Sequence, residues 1–413
     1  MTIGGIIECS TCTHKIRVRH QIGIIHPVQI RIACNGCGKI IKGTVDLKDP
    51  NFDFPFDKFS KNFEITPQVV SISTELPIVI KSTNNENELL LLTPFLAITD
   101  IIHYDKITLF GKNLSLFKIL YDGKFKYLLT CFELFENKNW KYFLSESNKH
   151  FNIQIKALQE NFDDSCKVLV YLNSIFFQFL STKTYDTDFK NKLQEESIDA
   201  VVTKIAELKS LRADIETYIN LEIETIKGIK LIDKFLSNVN SFFPVIVLSY
   251  NDDFLKQYND EIGITTFEFL DLKEMYIEQF EFLSRISSLY FGLINLAERN
   301  DFNDFGTIRD CNVLTDYFNK DNGVKKDILK KHAILNAYFL ETLNSQLRNG
   351  IGHLKTVYEP RTQLIKYYPY KDAARMNVHK EIYLIDFTFQ VYQQALKIRD
   401  SLELLAKFVD LTK

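Results

Sequence analysis

Two Cys-x2-Cys pairs, Cys9/Cys12 and Cys34/Cys37, stand 21 residues apart and constrain this chain more than any other feature. With seven cysteines in 413 residues, about 0.1 such pairs are expected by chance. Each pair brings two thiolates to the tip of a tight turn. Two turns facing one another close a tetrahedral set of four sulfur ligands. Asn35, Gly36 and Gly38 supply the backbone freedom the second turn needs. Because every position is a thiolate, the spacing predicts one structural Zn2+ per chain, with no open coordination position for chemistry. His14, His20 and His26 lie between the pairs, but two complete pairs make them unnecessary as ligands.

Polar and apolar residues alternate between the pairs. Ile16 and Val18 oppose Lys15, Arg17 and Arg19, and Val28, Ile30 and Ile32 oppose Gln29 and Arg31. This is strand patterning, with residues 40–45 as a third strand. Residues 1–48 thereby resemble a zinc ribbon. They hold seven Lys/Arg against Glu8 and Asp46, a balance of +5, so the rest of a chain of net charge −3 carries −8. Two readings of the basic face stay open: contact with nucleic acid, or solvation of a small module whose metal is a folding staple.

Composition excludes several classes. Fifteen Gly and nine Pro are too few for a collagenous or wholly disordered chain. No secretory leader pattern is visible, and the apolar run at 168–180 is too short to span a bilayer. A cytoplasmic protein without membrane contact is expected. Arg is scarce, 11 against 39 Lys, so each Arg stands out. Residues 49–190 read as a mixed α/β middle region, with strands at 68–73 and 78–81, a loop tip at 83–87 and helix beyond about 112. Residues 191–264 read as a long helical segment, one helix or a helical hairpin, since 191–240 contain one Gly and no Pro.

The C-terminal region, 265–413, has an amphipathic helix at 271–299 and a second at 324–349. The second ends in Arg348-Asn349-Gly350-Ile351-Gly352-His353. The pattern then predicts a hairpin, with 356–358 and 363–368 flanking Glu359-Pro360-Arg361, and a closing helix at 380–411. Tyr358, Arg361, Lys366, Tyr367 and Tyr368 would then lie near the motif. They would serve there as stacking and phosphate contacts, or as a structural ornament. Arg19 and His26 form a similar pair by spacing, but they lie in the ribbon strands.

Arg348-Asn349-x3-His353 resembles the signature of the HEPN superfamily of all-α domains. Many members are metal-independent endoribonucleases acting as dimers. The resemblance implies that Arg348 and His353 carry the chemistry, that Asn349 orients them, and that no catalytic metal is used. A helix-ending Arg-Asn-Gly also fits an ordinary C-terminal cap. The expected fold is mainly α, with a small N-terminal β ribbon, a mixed middle region and a C-terminal HEPN-like helical bundle with a β-hairpin. The expected function is a homodimeric endoribonuclease, a bacterial toxin or abortive anti-phage effector, with a nucleic-acid or protein trigger sensed through the ribbon. The alternative is a non-catalytic nucleic-acid-binding or regulatory protein that dimerises through the helical domain.

Overall fold

The computed structural model describes residues 2–46, 56, 59–60, 68–80, 93–153, 159–181, 185–251, 261–308, 311–339, 342–352, 356–370 and 372–413. Over these the chain is mainly helical, with small β-sheets and a cysteine cluster near its N-terminal end. The chain divides into two compact units. One comprises Met1–Lys118, Ser237–Met275 and Asn349–Tyr392; the other comprises Ile119–Leu236, Tyr276–Arg348 and Gln393–Lys413. Residues 83–87, the expected loop tip, lie outside the described residues.

The first unit holds the sheets. Strands β1 (Thr2–Glu8), β2 (Lys15–Gln21), β5 (Phe59–Ser60) and β6 (Gln68–Ser73) form one sheet in the order β5-β1-β2-β6. On β2 the alternation buries Ile16, Val18 and His20 and leaves Lys15 exposed. Strand β6 pairs with β2 in parallel, so the sheet of the ribbon takes in residues well beyond 48. Strands β3 (Val28–Ala33) and β4 (Ile40–Val45) form an antiparallel pair, and β7 (Ile78–Val79) pairs with β8 (Ile262–Gly263).

Helix α1 (Pro94–Thr99) starts with the Thr93 hydroxyl accepting from Leu96 N–H. Strands β9 (Thr356–Glu359) and β10 (Leu364–Tyr367) make the expected hairpin, and β11 (Lys380–Tyr383) adds a third strand. The closing helix therefore begins at Leu384, not at 380. Residues 380–383 satisfy their backbone groups against β10 instead.

The second unit is helical. It draws on α2 (Tyr104–Glu136), α3 (Trp140–Phe151), α4 (Phe162–Phe177), α5 (Tyr185–Glu196), α6 (Ile205–Glu216), α7 (Leu221–Ser237) and, after the short turn α8 (Phe243–Ile246) of the first unit, α9 (Phe269–Arg299). It continues through α10 (Leu314–Asn319), α11 (Asn322–Leu329), α12 (Ala333–Phe339), α13 (Ser345–Gly352) and α14 (Leu384–Leu411). Helices α2, α9, α13 and α14 carry residues of both units. On α9 the apolar stripe Leu283, Ile286, Leu289, Leu293 and Leu296 is buried.

Two long helices expected from periodicity are broken. The 191–240 segment holds the end of α5, all of α6 and α7, a 3-10 turn at Asp199–Val201 and the start of a second at Val239–Phe242. Short polar side chains capture the backbone at each break. Ser197 Oγ donates to the Leu193 carbonyl, Thr217 Oγ1 donates to the Asp214 carbonyl, and Asn220 Oδ1 accepts from Ile223 N–H to start α7. The 324–349 segment likewise divides into α11, α12 and α13. His332 N–H reaches only to the Leu329 carbonyl, a tight closing turn, and Asn344 Oδ1 accepts from Leu347 N–H at the start of α13.

Candidate metal centre and the Arg348 helix

Both cysteine turns are closed by backbone hydrogen bonds. Cys9 N–H donates to the His14 carbonyl (2.9 Å) and Cys34 N–H to the Lys39 carbonyl (2.9 Å), and Thr13 and Gly38 take the positive φ these turns demand. The four Sγ atoms lie within 4.8 Å of one another. Cys9 and Cys37 are 3.7 Å apart and Cys12 and Cys34 3.6 Å. A tetrahedron with metal–sulfur bonds of about 2.3 Å has sulfur–sulfur edges of about 3.8 Å, whereas a disulfide would require about 2.05 Å. The cysteines therefore fit a metal ion and are not bridged. N–H groups of Thr11 and Cys12 directed at the Cys9 sulfur hold its thiol down at about 6, while the thiols of Cys12, Cys34 and Cys37 are shifted up, Cys34 by burial. At Gly36 a side chain would crowd the cluster, because a Cβ would sit 3.0 Å from Cys12 Sγ and 3.2 Å from His14 Cβ.

Residues far from the cysteines hold the second turn. Gln68, buried on β6, donates to the Ala33 carbonyl and accepts from Asn35 N–H, both at 2.9 Å. Lys39 Nζ donates to Ser10 Oγ (2.9 Å), tying one turn to the other. The Arg361 guanidinium lies against Gly38, with Nη2 3.4 Å and Nε 3.6 Å from where a Cβ would stand.

Part of the basic face is neutralised within the first unit. Arg31 pairs with Asp271 (2.9 Å) and donates to the Thr266 carbonyl (2.8 Å), and Lys42 pairs with Glu268 (2.5 Å). These acids come from the start of α9 and the residue before it, outside the ribbon. Their role was not legible in the +5 count of residues 1–48.

The residues expected to contact substrate sit in three different settings. Arg361 borders the cysteine turn. Tyr358 is half-buried with its ring 6.0 Å from Phe269, and burial pushes its hydroxyl pKa above the ordinary tyrosine value. Lys366 pairs across the sheet with Glu381 (3.3 Å).

Arg348 is the fourth residue of the eight-residue α13. The helix runs on through Gly352, so Arg348-Asn349-Gly350 is not a C-terminal cap. The Arg348 guanidinium charge sits mid-helix, away from either end. Glu281 on α9 offsets it: Glu281 Oε1 accepts from Arg348 Nε (2.7 Å) and lies 2.6 Å from Nη2. Asn322 Nδ2 also approaches that oxygen (3.4 Å). Sequence reasoning missed Glu281, whose only signal was its place on the polar side of an amphipathic helix. Asn349 follows Arg348 on the same helix, half-buried. Gly350 is buried against β10, where a Cβ would meet Tyr367 Cβ at 2.9 Å. His353 lies outside the described residues.

Comparison with protein-family models, with curated proteins and with solved structures yields no match. Among the described residues no single helix is long and apolar enough to cross a membrane.

Proposed function

We propose that this protein is a metal-independent endoribonuclease of the HEPN type, acting as a homodimer in a bacterial toxin or anti-phage role. In this reading Cys9, Cys12, Cys34 and Cys37 hold a structural Zn2+, and the ribbon takes part in sensing a nucleic-acid or protein trigger. The observation that carries the reading is the position of Arg348 and Asn349. They are consecutive on α13, and the guanidinium is oriented by Glu281 instead of serving as a helix cap.

The chemistry needs no metal. His353 takes the proton from the RNA 2′-OH, the 2′-oxygen attacks phosphorus, and the bond to the 5′-oxygen breaks as that oxygen is protonated. The products are a 2′,3′-cyclic phosphate and a 5′-hydroxyl. Arg348 stabilises the charge on the non-bridging oxygens, and Asn349 holds the imidazole in one tautomer.

Cleavage of RNA in Mg2+-free buffer with EDTA should occur with the wild type and be lost in Arg348→Ala and His353→Ala. Wild type that neither cleaves RNA nor harms cells under any trigger overturns the reading. A second reading, a non-catalytic nucleic-acid-binding or regulatory protein, draws support from the Arg348–Glu281 pair, which already compensates the guanidinium. It predicts salt-sensitive nucleic-acid binding that survives His353→Ala.

A further inference from the structure

The second unit contains a cavity of about 330 Å3 that shares no lining residue with the cysteine cluster or the Arg348 helix. Its deep end is formed by Tyr290 of α9, Tyr338 of α12 and Asp400 of α14, all buried. Val170, Leu193, Ile198 and Leu404 supply apolar wall, and Lys167, Lys190 and Lys407 contribute ammonium groups from three different helices.

The charge inside is costly and held in place. Lys397, Arg399, Asp400 and Ser401 are 9%, 8%, 4% and 0% exposed on consecutive turns of α14, where leucines would suffice for packing. Removing an ion from water costs several kcal/mol unless it is compensated. Asp400 is compensated on one oxygen: Oδ1 accepts from Arg399 Nε (2.8 Å) and Nη2 (2.6 Å), with Lys190 Nζ at 3.3 Å. Its other oxygen, Oδ2, accepts among the described residues from the Tyr338 hydroxyl alone (3.1 Å). A carboxylate oxygen has two acceptor positions, so a fixed, ionised carboxylate offers one further position to a ligand N–H in this cavity.

Lys167 and Lys407 are held more weakly than Lys190, which pairs with both Asp400 and Glu403. Lys167 pairs with Asp410 (2.7 Å) and Lys407 with Asp199. Asp410 and Asp199 are 42% and 40% exposed, and pairs of this kind are worth about 0–1 kcal/mol. An incoming dianion can take over the ammonium groups while these carboxylates turn to water. Asp400, locked by Arg399, stays in place. Asp400 and Lys407 stand seven residues, about 10 Å, apart along α14, and Lys167 is held by Asp410 one turn beyond Lys407; the cavity thus has an anion-binding end with two cations, an apolar and aromatic wall, and an acceptor end at Asp400. Its volume lies at the lower limit of small-molecule sites, which run from about 300 to 1,000 Å3.

We infer that this cavity binds a nucleoside monophosphate, with the phosphate on Lys167 and Lys407 and an N–H of the base on Asp400 Oδ2. The inference does not rest on the ribonuclease reading, because none of these residues belongs to that machinery.

Calorimetric titration of the full chain with AMP, GMP, CMP and UMP, and with the matching nucleosides and inorganic phosphate, tests it. At least one monophosphate should bind below about 1 mM. Its nucleoside and inorganic phosphate, each reaching only one end, should bind at least about tenfold more weakly. Lys167→Gln combined with Lys407→Gln should cost the monophosphate about tenfold, leave the nucleoside unchanged and leave the melting temperature unaltered. Lys407→Arg should retain binding, and Leu404→Trp, which fills the cavity, should abolish it. No binding of any monophosphate, inorganic phosphate binding as tightly as the nucleotide, or an affinity indifferent to the double substitution would each overturn the proposal. So would binding of RNA oligonucleotides without binding of mononucleotides.

Discussion

At the scale of the residue, single side chains make the sharpest statements. Cys34 is a buried member of the thiolate set. If the cluster holds zinc as proposed, Cys34→Ser leaves three ligands, and bound metal measured by plasma mass spectrometry should fall from about one per chain toward none. His20 is buried on β2, and burial holds its imidazole down at about 4 against an ordinary 6.5. Above about pH 6.5 both folded and unfolded states carry it neutral. Between 6.5 and 4 the unfolded state takes a proton that the folded state refuses, so stability falls as pH falls. The loss across that window is on the order of 3 kcal/mol. Urea unfolding from pH 7 to 4 should show the steeper loss in wild type than in His20→Leu; equal slopes would remove His20 from the account. Glu281→Ala removes the carboxylate that orients Arg348. If RNA is the substrate, cleavage should drop at least about tenfold, with little change in melting temperature, because both groups are partly exposed.

Elements divide into those written locally and those decided by tertiary partners. The cysteine turns, β3, β4 and the β9–β10 hairpin could be read from spacing, alternation and turn residues, since each depends on neighbours in sequence; β6 was read from its β-rich composition although its partner β2 lies about 50 residues away. The helices were read too long. Apolar spacing runs through 191–240 and 324–349 without interruption, but periodicity reports which face is buried, not where the backbone turns. Ser197, Thr217, Asn220 and Asn344 decided the breaks through individual hydrogen bonds. Strand β11 was missed because its four residues run directly into the closing helix, and the twelve-residue connection from β10 gives no hairpin turn signal for their pairing. In the candidate site the four ligands were legible. Glu281, Gln68 and the placement of Arg361 were not, because they arise from contacts across tens to hundreds of residues. Gly350 shows the two levels in conflict. Alanine is intrinsically better in a helix by about 1 kcal/mol, yet its Cβ would stand 2.9 Å from Tyr367 Cβ and 3.3 Å from the Tyr368 carbonyl oxygen. Neither atom is the movable end of a side chain, so overpacking wins, and Gly350→Ala should destabilise by about 1–3 kcal/mol in urea unfolding.

At the scale of the whole molecule, the cysteine cluster is tied to chain far from it in sequence. Gln68 clamps the second cysteine turn and Arg361 lies on Gly38. Chelation should therefore do more than loosen residues 1–46. Hydrogen exchange should accelerate in 68–73 and 356–367 as well, while α4 and α6 of the second unit keep their protection. Loss confined to the ribbon would show that these contacts transmit nothing. Arg361 also has a consequence for biogenesis. It emerges from the ribosome about 320 residues after Cys37. At roughly 5–20 residues per second that is an interval of about 16–64 s. During this time the second turn has its ligands but not the guanidinium that later lies on Gly38. Early metal capture must rely on the short N-terminal segment alone, and those reactive sulfurs are most open to oxidation or to a competing metal while the protein is still being made.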